Sequence, residues 1–260
     1  MRAQFEDALT RTRTRRGRLG EPLHFYHEIG STNDEAVRLA EAGAAHGTTV
    51  VASAQTAGRG RLGRTWFSPP DAGLYASVVV RERRAAPLLT LAGGVAVAEG
   101  IRAAVALPAE IKWPNDIVID SGLGKRRKLA GILTEASSGA NGLQFAVVGI
   151  GINLSAAAYP PEIADRATSI SVELGRAVEA PLILVECLAA LSERIAQLAL
   201  GEGGAVLRRW LELSPSAIGT RVECEGSAGG ITAGISNDGA LLVRTQAGIE
   251  AIRSGQVRWL

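Results

Sequence analysis

The segment Gly58-Arg59-Gly60-Arg61-Leu62-Gly63 satisfies the G-x-G-x-x-G pattern and follows an apolar, β-branched run at 48–54 that reads as a buried strand. A dinucleotide-binding turn of that pattern must open a helix. Here Pro69-Pro70 comes next, which no helix interior tolerates, and then a second strand-like run at 73–81. The chain is therefore not built on a Rossmann unit. A kinase glycine loop does sit between strands, but neither H-R-D nor D-F-G occurs. Gly122-Leu123-Gly124-Lys125 lacks the first glycine and the Ser/Thr of a P-loop. What remains is a basic glycine loop between two strands, carrying Arg59, Arg61 and Arg64 beside Trp66-Phe67. Glycine lets backbone N–H groups come close to an anion, and guanidinium grips phosphate or carboxylate with two parallel bonds. The loop is read as an anion-binding element rather than a solvated surface turn.

Around it the pattern is mixed. Residues 22–29 alternate as a strand, and Thr32 with Glu35 fits a capping box that starts a helix running to about Gly43. Residues 88–105 suit a buried helix; 110–113, 117–120, 128–136 and 143–153 read as strands; 180–200 and 204–213 read as helices. From Gly219 onward the runs are short and β-like, with Asn237-Asp238-Gly239 as a hairpin turn. The fold class is α+β, a core of mixed sheet and helices with a small all-β module appended. The boundaries expected are an Arg-rich segment at 1–20, a main domain at 21–214 and the β module at 215–260.

Charge narrows the function classes. Residues 1–20 hold six arginines against Glu6 and Asp7, a net of +4; the whole chain is +2, so residues 21–260 carry −2. The body is not a basic protein, sequence-specific DNA binding is not expected, and the Arg-rich segment is read as solvated and poorly ordered. Two cysteines, Cys187 and Cys224, make neither a disulfide framework nor a zinc site. With no signal-peptide run and no stretch of 18 uncharged apolar residues, no membrane span is expected and the cytoplasm is the expected compartment. His24, His27 and His46 lack metal-ligand spacing.

Three further segments carry candidate chemistry. Lys112-Trp113-Pro114-Asn115-Asp116 puts two polar side chains just past a strand end, where functional groups are displayed, although Pro-Asn-Asp is also ordinary turn chemistry. Lys128 heads Lys-Leu-Ala-Gly-Ile-Leu-Thr-Glu, in which Gly131 marks close approach of a ligand or another backbone. Residues 147–154, Val-Val-Gly-Ile-Gly-Ile-Asn-Leu, form an apolar strand ending at Asn153.

In order along the chain, GSTN (30–33), QTAGRGRLGRTWFS (55–68), KWPND (112–116), KLAGILTE (128–135) and GIGINL (149–154) resemble the biotin–protein ligases, the biotin–acetyl-CoA-carboxylase ligases of bacteria. The resemblance covers about residues 22–260. It implies a catalytic core related to class II aminoacyl-tRNA synthetases and an SH3-like C-terminal barrel. The implied reaction joins biotin to ATP as biotinyl-5′-AMP, with Mg²⁺, and then moves biotin to a lysine of a biotin carboxyl carrier protein. The resemblance assigns Ser31, Thr32, Asn33, Gln55, Gly58, Arg59, Gly60, Arg61, Lys128 and Gly131 to biotin. It assigns Arg61, Arg64, Trp66, Asn115, Lys128 and Asn153 to ATP and the adenylate, Lys128 and Arg61 to catalysis, and Asp116 to the metal. Elementary chemistry agrees: bringing a carboxylate to a triphosphate needs fixed cations, a neutral ureido ring needs hydroxyls and amides, and a mixed anhydride needs shielding from water. Only about 20 residues precede the core, so a monofunctional enzyme, monomer or homodimer, is expected. Lys125 is a rival for the catalytic lysine. A lipoate–protein ligase and a biotin-sensing DNA-binding regulator are the alternatives.

Overall fold

The computed structural model describes residues 1–260 apart from 121, 123–125, 140–141, 226, 256 and 260. Two short helices, α1 (Arg2–Arg11) and α2 (Arg13–Arg16), precede β1 (Leu23–Ile29), α3 (Thr32–Glu41), β2 (Thr49–Gln55) and β3 (Gly73–Val80). Helix α4 (Leu89–Val105) leads to β4 (Glu110–Lys112), β5 (Asp116–Asp120), β6 (Arg126–Gly139) and β7 (Gly142–Asn153). Helices α5 (Ile170–Leu174), α6 (Ala180–Ala199) and α7 (Gly203–Glu212) follow. The chain closes with β8 (Ile218–Cys224), β9 (Ser227–Ile235), β10 (Leu241–Thr245), β11 (Gly248–Ile252) and β12 (Val257–Trp259).

Among the described residues, seven strands form one mixed sheet in the order β1-β2-β3-β7-β6-β5-β4. β1 and β2 run parallel across the α3 connection, and every other pair is antiparallel. Side-chain alternation gives this sheet two different faces. Ala76, Val78 and Val80 of β3, Ala146, Val148, Ile150 and Ile152 of β7, and Ala130 and Ile132 of β6 join the main core under α4 and α6. On the opposite face, Val79, Phe145 and Val147 meet Ala36 and Ala40 of α3 in a smaller cluster. Further along that face the apolar residues stop. Ser77 stands opposite Gly149, Tyr75 opposite Gly151, and Gly151 opposite Gly131. That polar, glycine-floored end of the face is where the candidate site lies.

A separate antiparallel sheet, β11-β10-β9-β8-β12, forms from the C-terminal strands. Its β9–β10 turn has Gly239 at φ 83, a left-handed conformation that suits glycine. A Cβ there would lie 2.8 Å from Leu91 of α4, and the Gly239 carbonyl accepts a 3.1 Å bond from Trp113 Nε1. The hairpin turn thus presses the second sheet against the KWPND segment.

Two expectations are corrected. The Arg-rich segment is not a solvated tail: Phe5, Leu9 and Leu19 are buried, α1 and α2 pack on α6, and Arg15 pairs with Glu186 at 2.6 Å. Phe5 and Leu9 are four residues apart and so share one helix face, a spacing that the density of arginines masked. The helix cap at α3 is Ser31 rather than Thr32: Ser31 Oγ accepts from Asp34 N, and Glu35 instead binds Tyr26 Oη and Arg38. The expectation of no membrane span is not overturned, although Arg83–Val105 is long enough and contains an 18-residue window of mean hydropathy 1.5, enough to cross a membrane by length and composition. In this fold 72% of that window is buried, as a core helix between the sheet and α6 requires.

Candidate active site

A cavity of about 910 Å³ opens on the glycine-floored end of the sheet. Its walls come from the start of α3, the loop after β2, the KWPND turn, the first half of β6, the end of β7, and the edge of the second sheet. Of the residues expected at a site, Ser31, Thr32, Asn33, Gln55, Arg59, Gly60, Arg61, Arg64, Trp66, Asn115, Asp116, Lys128 and Gly131 all line it.

Its floor explains the glycines. A Cβ at Gly149 would meet Asn33 Oδ1 at 2.1 Å; one at Gly151 would meet the Trp66 ring at 2.7 Å; one at Gly131 would touch the same ring at 3.0 Å. Trp66 therefore lies flat on two adjacent strands because neither carries a side chain beneath it. The resemblance places the nucleotide against Trp66, and on that expectation Gly151→Ala should lift this ring and raise the KM for ATP about tenfold, with the fold intact by circular dichroism. An unchanged KM would mean that the ring makes no contact of value there.

One wall is an amide and hydroxyl array. Gln55 Oε1 accepts from Thr32 N at 2.8 Å, and Gln55 Nε2 donates to Ser68 Oγ at 2.8 Å. Ser77 Oγ lies 2.9 Å from Thr32 Oγ1 and 2.6 Å from Asn33 Oδ1. Because an amide oxygen only accepts, the single Ser77 proton goes to Asn33. That fixes the amide's orientation, and Asn33 Nδ2 donates to Glu135 Oε2 at 2.8 Å. Such an array suits a neutral ligand with both donors and acceptors.

Another wall is cationic. Lys128 Nζ sits 2.6 Å from Asp116 Oδ1 and 5.2 Å from the centre of the Trp66 ring. Arg61 Nη1 donates to Asn115 Oδ1 at 3.2 Å, while Asn115 Nδ2 donates to Ile132 O at 2.7 Å. Burial, with the nearby Arg64, pulls the Arg61 guanidinium below its ordinary value against the attraction of Asp116. The glycine loop folds as a small hairpin, with Gly60 N donating to Arg64 O and Trp66 N to Gly58 O. Arg59 reaches out of it to Asp34 and Glu135.

Two expected contacts lie outside the cavity lining. Gly58 does not line the cavity; a Cβ there would strike Trp66 O at 2.4 Å and Ser68 Oγ at 2.6 Å, so its task is to let the hairpin close. Asn153 is buried behind the wall, with Nδ2 donating to Thr168 O at 2.9 Å, and it too is outside the lining. Lys125 lies outside the described residues. Sequence reasoning also missed Ser77, Glu135 and Lys112. Lys112 lines the cavity directly opposite Asp116 in the β4–β5 pairing, and burial above all lowers its pKa. A signal for it existed, since the chain has only three lysines, Lys112, Lys125 and Lys128, all in one short stretch. The lining also draws Glu223, Arg258 and Trp259 from the second sheet, where no motif pointed.

A mixed sheet with an amide–hydroxyl wall and a cationic one lining the same cavity defines a class, and the Biotin/lipoate A/B protein ligase family model matches residues 28–153. The biotin–[acetyl-CoA-carboxylase] ligase of Paracoccus denitrificans is 34% identical over 87% of this chain and 96% of its own length. The bifunctional ligase/repressor BirA of Bacillus spizizenii is 34% identical over 92% of this chain and 74% of its own. The solved biotin protein ligase from Aquifex aeolicus in complex with biotin and ATP aligns with TM-score 0.75 at 31% identity, covering 92% of this chain and 99% of that one. The chain belongs to the biotin–protein ligases.

Proposed function

We propose that this chain activates biotin with ATP and transfers it to a lysine of a biotin carboxyl carrier protein. The observation that carries the reading is that the Thr32–Asn33–Gln55 array and the Arg61–Lys128 cations line one and the same cavity. The first suits the ureido ring, and the second suits the biotin carboxylate and the α-phosphate. In the first step a biotin carboxylate oxygen attacks the α-phosphorus and pyrophosphate leaves. Lys128 and Arg61 stabilise the charge that builds there, with Asp116 orienting Lys128. In the second step the acceptor amine attacks the biotinyl carbonyl carbon and AMP leaves. Trp66 and the hairpin shield the anhydride from water meanwhile.

Asp116 was expected to hold the metal. It already spends one oxygen on Lys128, and no group of three His, Cys, Asp or Glu able to hold an ion occurs among the described residues. This donor set fits no resident metal centre. Mg²⁺ is read here as part of the nucleotide substrate, held chiefly by phosphate and water. We further read 21–214 as the catalytic unit and 215–260 as an SH3-like module that completes the cavity rim. The free thiols Cys187 and Cys224 support a reducing, cytoplasmic setting.

The test is incorporation of labelled biotin into a carrier domain, dependent on ATP, beside biotin-dependent pyrophosphate release. Thermal stabilisation by biotin and not by lipoate is expected. Stabilisation by lipoate alone would move the reading to the lipoate branch of the family.

A further inference from the structure

Glu135 stands outside the cavity lining, yet it touches both halves of the site. Its Oε2 accepts from Asn33 Nδ2 at 2.8 Å, and Asn33 in turn is fixed by Ser77. Its Oε1 pairs with Arg59, one of the residues by which the glycine hairpin reaches the body of the protein. Arg59 also pairs with Asp34, but Asp34 is 54% exposed against 27% for Glu135. Exposed ion pairs contribute little because water and salt screen them. The less exposed Glu135 therefore carries the stronger of the two tethers. It is also the member of the pair that is bonded to the ligand wall.

We propose that Glu135 is a positioning residue that, together with Ser77, holds the Asn33 amide in the ligand wall and at the same time holds the hairpin 58–66 down through Arg59. One carboxylate then makes recognition of the ring and retention of the covering hairpin mutually dependent. A ligand that orders Asn33 fixes Glu135 for Arg59, and a seated Arg59 fixes Glu135 for Asn33. The inference rests on the reading of this cavity as a biotin site.

The experiment uses the full chain with saturating biotin and Mg-ATP. Trypsin is the probe of the hairpin, cutting after Arg59, Arg61 and Arg64, and biotin KM and kcat are measured on the same preparations. Glu135→Gln keeps an oxygen for Asn33 but loses the charge that pairs with Arg59. It is expected to leave biotin KM within about twofold while speeding hairpin cutting about tenfold. Glu135→Ala loses both contacts and is expected to raise biotin KM about tenfold as well, with kcat at saturating biotin much less affected. Asp34→Asn should change either quantity by less than about twofold. A purely structural role would instead lower kcat and raise the KM for both substrates together, equally in Gln and Ala.

Unchanged cutting in Glu135→Gln overturns the proposal, even should Glu135→Ala fail to fold. An unchanged biotin KM in a folded Glu135→Ala does so too. Turnover by the wild type with unaltered variants removes only the role of Glu135. Absence of biotin-dependent pyrophosphate release in the wild type removes the reading beneath it.

Discussion

Replacing Lys128 with alanine is expected to cut biotin-dependent pyrophosphate release by about 10²–10³, the usual cost of one lost electrostatic contact to a developing charge. Its placement supports a large effect. The Lys128 backbone is pinned on both sides by the following segment, with its N–H donating to Arg166 O at 2.8 Å and its carbonyl accepting from Thr168 N at 2.9 Å. Its ammonium is then held between Asp116 and the Trp66 ring. Such a cation is already in position when charge develops, with little reorganisation left to do. Removing it does a second harm, because Asp116 is left unpaired in a cavity that must accept a triphosphate. Adding Asp116→Asn to Lys128→Ala is therefore expected to recover a small part of the loss. Lys125→Ala is expected to stay near wild type. Equal and mild losses in Lys125→Ala and Lys128→Ala would overturn the assignment.

Much of this architecture was legible because two kinds of signal agree in it. The strands of the main sheet are apolar runs with turn residues at their ends, and α4 and α6 are long enough to be helices and too apolar to be exposed. The site was legible for another reason: five short motifs in a fixed order are specific even where each alone is weak. What escaped reading is what depends on the other strand or the other helix. Ser77 sits in Gly-Leu-Tyr-Ala-Ser-Val-Val-Val, where nothing local tells that its hydroxyl meets Thr32 and Asn33. Asn153 looks like a ligand contact because it ends a glycine-rich strand, but its amide nitrogen goes to the Thr168 carbonyl. The use of Gly149 and Gly151, to make room for Asn33 and Trp66, appears only once α3 and the hairpin are laid on the sheet. The contribution of the second sheet to the cavity rim has the same cause, since it depends on how the Gly239 turn docks against Trp113.

Composition misled most at the N-terminus, and there the expected effect of one substitution is again large. Arg16 is fully buried, at 0% exposure, inside the segment whose charge suggested a solvated tail. Its guanidinium donates to Leu9 O from Nε at 3.0 Å and from Nη2 at 2.8 Å, also reaches the Gly17 and Leu19 carbonyls, and pairs with Glu21. It thus satisfies the backbone where α1, α2 and the turn into β1 meet. Arg16→Ala leaves those carbonyls buried without donors and opens a void, which together are expected to cost about 3 kcal/mol. For a chain of this size that is a fall in melting temperature of about 6–12 °C. Arg13→Ala is the control: that side chain is 73% exposed and 3.8 Å from Glu21, so a change under about 0.5 kcal/mol is expected. pH separates the parts of the Arg16 effect. The hydrogen bond from Arg16 holds the Glu21 carboxyl below its ordinary value of 4.5. A depressed carboxylate contributes stability above that ordinary value and loses it as pH falls through the folded one. Glu21 is 44% exposed, so this share is small. The bonds to the carbonyls do not titrate, and most of the gap between wild type and Arg16→Ala should persist in acid. Were residues 1–20 a solvated tail, Arg16→Ala would melt with the wild type at every pH.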